Sequence, residues 1–178
     1  YEDMIDYLLE KGIEPVVSLV HFDMPDHLLR EYNGFLNKKV IDLYAKHVET
    51  VVTRMKGKVK YWLTYNEINL APYQSDLVAG VYRPEGMSQS ELFAQLSVNT
   101  AVAHAHAVEV IKRVDPQAWV GGMIGHAPFY PLTCQSDDII MADFKNKMHN
   151  YLPFDIMTNG ELPDYFENFM KNRNIHVE

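Results

Sequence analysis

Apolar positions follow two rhythms along the chain, one returning every three to four residues and one nearly unbroken over six to eight. Residues 2–11, EDMIDYLLEK, carry Met4, Ile5, Leu8 and Leu9 at helical spacing, and Gly12 supplies a left-handed stop. Residues 13–20, IEPVVSLV, are a β-branched apolar run, the pattern of a parallel strand covered on both faces. After a loop with Asn33 and Gly34, Asn37 is placed to cap a helix. Its Val40, Ile41, Tyr44, Ala45, Val48, Val51, Val52 and Met55 form one stripe, closed by Gly57. The strand VKYWLT follows at once. A long connection from Asn69 to Ser88 leads to a helix over Gln89 to Val114, stopped by Asp115 and Pro116. A third strand, AWVGGMI, starts at Ala118. Beyond it the pattern gives an irregular segment with Pro128 and Pro131, a helix from Ser136 to His149, and a Pro- and Gly-punctuated tail with a last helix near Pro163 to Asn172.

The order α, β, α, β, α, β, α implies parallel strands joined by helical crossovers, in a doubly wound sheet or in part of a barrel. A wound sheet would place a Gly-rich phosphate turn after its first strand. Here that strand runs into HFDMP, and neither GxGxxG nor GxxxxGK[ST] occurs. A barrel puts its chemistry at the C-terminal strand ends, where His21, Asn66, Glu67 and His126 all fall. A complete barrel takes about 250 residues, so the fold class is α/β, a partial (β/α)8 barrel, with residues 1–178 as one partial-barrel domain.

Composition narrows the partners. Sixteen Lys and Arg against 24 Asp and Glu give a net charge of −8, which argues against a nucleic-acid partner. A 47% hydrophobic content supports an ordinary core. The single cysteine, Cys134, forms no internal disulfide and has no His nearby to activate it, so a cytoplasmic location is expected and the thiol reads as a bystander. No apolar run of about 18 residues occurs, so no membrane partner is expected. The start lacks an initiator Met and a basic leader, which reads as an opening inside a longer chain.

Glu67 is the residue with chemical potential. Hydrolysis of a glycosidic bond needs a protonated carboxyl beside the leaving oxygen and, in the retaining mechanism, a second carboxylate about 5 to 5.5 Å away. Asn66 beside it is suited to bind a sugar 2-hydroxyl. Spacing alone leaves Glu67 open to the plainer role of a loop carboxylate. His104 and His106 are two apart on a helix and face apart, and no HExxH occurs, so no metal site is expected. Asp23 reads as a turn organiser. Trp62 and Tyr65 read as core residues, Tyr65 with an added role as support for the site. Tyr130 reads as loop packing or an aglycone contact, and Met123, Met141 and Met148 as core fillers.

VKYWLTYNEIN resembles the acid/base strand of glycoside hydrolase family 1, the β-glucosidases and 6-phospho-β-glucosidases, in which a W-x-T-[FY]-N-E string ends the fourth barrel strand. EPVVSLVHFDMPDHL resembles the family's third-strand segment, and GFLNKKVIDLYAKHVETVVTRMKGKVKYW the helix between them. GHAPFYPLTCQSDD and GELPDYF resemble later segments of the phospho-sugar branch. The resemblance implies that Glu67 is the general acid/base, that Asn66 and His21 bind the sugar, and that Phe22 walls its subsite. It implies barrel strands three to five, a small-molecule β-glycoside substrate that is 6-phosphorylated in this branch, and no cofactor. The family's Pro after the acid is replaced by Ile68 and Asn69, a variant similar to the 6-phospho-β-glucosidases, while residues 77–108 match that branch less well. The family's E-N-G nucleophile string has no counterpart here, so the chain alone is expected to be inactive and to require the remainder of its barrel. The alternatives are a β-glucosidase or β-galactosidase for unphosphorylated sugars, a retaining glycanase of the wider clan, and a non-catalytic carbohydrate-binding protein.

Overall fold

The computed structural model describes residues 1–177. Three strands, β1 (Val16–Ser18), β2 (Tyr61–Leu63) and β3 (Trp119–Gly121), form one parallel sheet in the order β1-β2-β3. Val16, Val17 and Ser18 pair with Tyr61, Trp62 and Leu63, which pair in turn with Trp119, Val120 and Gly121. Backbone bonding runs on beyond these spans, with Leu19 N–H donating to the Leu63 carbonyl at 2.9 Å and Thr64 N–H to the Gly121 carbonyl at 3.0 Å.

The helices are α1 (Glu2–Glu10), α2 (Asp26–Tyr32), α3 (Lys38–Met55), α4 (Ser75–Ala79), α5 (Gln89–Val114), α6 (Ser136–Asn146), α7 (Leu152–Asn159) and α8 (Asp164–Lys171). The two crossovers, α3 and α5, are the best signposted in sequence. Asn37 Oδ1 accepts from Lys39 N–H at the start of α3. At α5, Ser88 Oγ accepts from Glu91 N–H at 3.2 Å while the Glu91 carboxylate accepts from Ser88 N–H at 2.7 Å, a reciprocal capping box that holds the Glu91 pKa below its ordinary value. The α3 stripe is buried or half-buried along its whole length.

Both crossovers pack on one face of the sheet, in one core with Trp62, Leu19 and Ile5. Because strand side chains alternate, Trp62 is buried among the helices while Tyr61 and Leu63, only half-buried, face the other way. Helices on one face and a second face left for strand side chains is the arrangement a barrel wall requires, and it matches the expected α/β class. A second core joins the first half of α5 to α7 and α8 through Phe93, Met148, Leu152, Phe166 and Met170.

Three expectations are corrected. The first strand is not covered on both faces, since Val16 is 61% exposed. The connection after Asn69 holds a 3-10 turn at Ile68–Leu70 and the short α4. The tail after His149 is helical: a π-helical turn, Lys147–Tyr151, carries α6 into α7, and Pro153 is tolerated because it falls in the first turn of α7. Met141 is solvent-exposed, not core.

Candidate active site

The end of β2 is gripped from both crossovers. Fully buried Thr64 accepts a hydrogen bond on its carbonyl from the Tyr44 hydroxyl of α3, and its own hydroxyl shares one of 2.7 Å with His104 Nδ1 of α5. Burial lowers the His104 pKa, because a desolvated imidazolium is disfavoured. Tyr65, buried against Phe35, donates to the Val78 carbonyl of α4 at 2.6 Å, and burial pushes its pKa well above the ordinary value.

Past Thr64 the chain bonds to one neighbour and then to the other. Asn66 N–H donates to the Val20 carbonyl on the β1 side at 3.0 Å, and Ile68 N–H donates to the Met123 carbonyl on the β3 side at 3.0 Å. Glu67 between them takes φ 48° and ψ 50°, a left-handed conformation that costs a non-glycine residue about 1 to 2 kcal/mol. Leu70 N–H closes the turn by donating to the Glu67 carbonyl at 2.8 Å. The half-buried Glu67 side chain ends against Gly125 in the loop after β3, where a Cβ on the glycine would lie 3.1 Å from the carboxyl carbon and from Oε1.

Asn66 is 3% exposed and its Oδ1 has no hydrogen-bond partner among the described residues. A buried amide oxygen left unpaired costs about 1 to 3 kcal/mol, which a ligand hydroxyl donating to it would recover. His21 and Phe22 follow β1. His21 is exposed, and its N–H donates to Asp23 Oδ1 at 2.9 Å, the turn-organising role read for that carboxylate. Phe22 takes φ 61° and meets the His21 ring edge-on at 5.2 Å between centroids. Because Asn66 is bonded to the residue before His21, the exits of β1 and β2 are adjacent, and His21, Asn66 and Glu67 share the C-terminal edge of the sheet.

His126 is exposed in the loop after β3, and Tyr130 is 81% exposed. His104 is buried and His106 exposed on α5, facing apart as their spacing implied. Sequence reasoning missed Asn69, which is 4% exposed and whose amide reaches Gly125 and His149. Its signal was only its place two residues after Glu67.

Across residues 1–178 the chain matches the model described as glycosyl hydrolase family 1. It is 38% identical over 170 residues to the aryl-phospho-beta-D-glucosidase BglA of Bacillus subtilis, covering 93% of this chain and 35% of that protein. It is 36% identical to a 6-phospho-beta-glucosidase of Clostridium longisporum, covering all of this chain and 37% of the other. Among solved structures, the beta-glucosidase from Thermotoga maritima in complex with glucoimidazole superposes with a TM-score of 0.83 at 29% identity, over 97% of this chain and 39% of that one. The chain thus spans little more than a third of the length of the curated relatives it matches.

Proposed function

Since the chain belongs to glycosyl hydrolase family 1, we propose that the complete protein is a retaining β-glycosidase acting on 6-phospho-β-glucosides, with Glu67 as its general acid/base. The observation that carries this reading is the pairing at the exit of the central strand of Glu67 with the buried, unpartnered amide oxygen of Asn66.

In the first step Glu67 donates its proton to the aglycone oxygen as the glycosidic bond breaks. In the second the resulting carboxylate takes a proton from the water that releases the sugar. Asn66 accepts from a sugar hydroxyl beside the reacting carbon, His21 hydrogen-bonds the sugar, and Phe22 walls its subsite. The second carboxylate of this mechanism has to come from outside these residues, so residues 1–178 act as one partial-barrel domain completed by the rest of the barrel. The phosphorylated substrate is favoured by the relatives at 38% and 36% identity, whose names carry it. An unphosphorylated β-glucoside is the second reading, favoured by the 29% identical structure, titled a beta-glucosidase. No helix among the described residues is long and apolar enough to cross a membrane, and the one cysteine, Cys134, is free and exposed; a cytoplasmic location completes the proposal.

The test compares hydrolysis of nitrophenyl β-glucoside with that of its 6-phosphate by the complete protein and by Glu67→Gln. The expected result is preference for the phosphate and a fall of about 10²-fold or more in the variant. Preference for the unphosphorylated sugar selects the second reading, full activity in the variant removes Glu67 from the mechanism, and binding without turnover in the wild type supports a carbohydrate-binding protein.

A further inference from the structure

Asn69 places every polar atom of its side chain. Oδ1 accepts from Gly125 N–H at 2.9 Å, and Nδ2 donates to the Gly125 carbonyl at 2.9 Å and to the His149 carbonyl at 3.1 Å. The first two bonds copy the two-point pairing of backbone strands, made here by a side chain, and they fasten the loop after β3 to the turn that follows Glu67. The third reaches the His149 carbonyl, for which Pro153, four residues on, has no N–H to offer. Gly125, fixed in this way, lies close against the Glu67 carboxyl: a Cβ there would come within 3.1 Å of it, so a side chain would fit only if the carboxyl gave way by a few tenths of an ångström.

We propose that Asn69 is a positioning residue for Glu67: by clasping both backbone polar groups of Gly125 it sets the glycine as a wall that fixes where the carboxyl sits. The proposal rests on the reading of Glu67 as the acid/base. No other side chain reproduces the clasp, because aspartate lacks the two donors and glutamine carries its amide one methylene too far. Gly125 is needed at the wall for its missing Cβ, not for a left-handed backbone, since its φ lies outside the positive region.

The test uses the complete protein and two variants that disturb the carboxyl from different sides, Asn69→Ala and Gly125→Ala. The readout is kcat/KM for aryl β-glycosides with leaving groups of graded basicity, because departure of dinitrophenolate needs no proton whereas departure of phenolate does. Both variants are expected to stay within about threefold of wild type on the dinitrophenyl substrate and to lose about tenfold to a hundredfold on the phenyl substrate, as a carboxyl about 1 Å out of place would. Equal losses on both substrates would mean that Asn69 only staples the helix, and would overturn the proposal. Should the wild type hydrolyse neither substrate, with or without a 6-phosphate on the sugar, the acid/base reading itself fails. The clasp is then judged by the crystal structure of Asn69→Ala, where an unmoved Glu67 carboxyl overturns it and a displaced one upholds it.

Discussion

At the exit of β2 every residue from Thr64 to Asn69 is held by partners within this chain, whereas at the exit of β1 His21 stands exposed, its N–H on Asp23 and its ring edge-on to the adjacent Phe22. The cause is position in the sheet. The central strand has a neighbour on each side and a crossover helix gripping it from each flank, while β1 has one neighbour and an open edge. The difference teaches that the proton transfer proposed for Glu67, which depends most on placement, falls on the strand that this segment rigidifies by itself, whereas the sugar contact proposed for His21 falls on the open edge.

The sharpest way to break the comparison is to remove one side chain from each exit. Asn66→Ala and His21→Ala are each expected to cost about tenfold to a hundredfold in kcat/KM. They should differ in stability: His21→Ala is expected to leave the melting temperature unchanged, and Asn66→Ala to change it by the balance of lost packing against relief of the buried unpaired Oδ1. A large unfolding effect from His21→Ala would show that the β1 exit is held as firmly as its neighbour.

Tyr65→Phe probes the buried scaffold alone. Loss of the 2.6 Å bond leaves the Val78 carbonyl unpaired, with an expected cost of about 1 to 2 kcal/mol in a denaturant titration. A smaller effect comes from pH. Burial holds the folded His104 pKa below its ordinary 6.5, so below that pH the unfolded chain binds a proton that the folded chain refuses. Stability should be full above 6.5 and decline as pH falls toward the folded value, and His104→Gln should flatten that decline in melts compared at pH 5 and 7.5. The least effect is expected of Asp23→Ala, which removes one exposed bond at the β1 exit, at most about 1 kcal/mol by thermal melt.

How much could be read from the chain follows the same division between local and distant signals. The α3 stripe with its Asn37 cap, the Ser88 and Glu91 signals at α5, and Glu67 at a strand end all lie within a few residues of the elements they define. The grip on Thr64 brings together residues 20 and 40 apart, and the clasp of Asn69 on Gly125 spans 56, so neither leaves a local pattern. The α7 helix was hidden for another reason: Pro153 reads as a breaker unless its place in a first turn is known. The exposed Met141 shows that helical spacing announces an apolar face without saying what covers it.

The π-helical turn at Lys147–Tyr151 works as a phase shifter. One residue more than a regular turn rotates all that follows by about 100° relative to what precedes it. Asn146, just before the turn, engages the backbone of Phe129 and Asn150, within it, that of Ala127, while Leu152, after it, enters the core beside Phe166. Deleting a single residue from this turn would leave a smoother helix and a misaligned protein, with one of its two faces always pointing the wrong way.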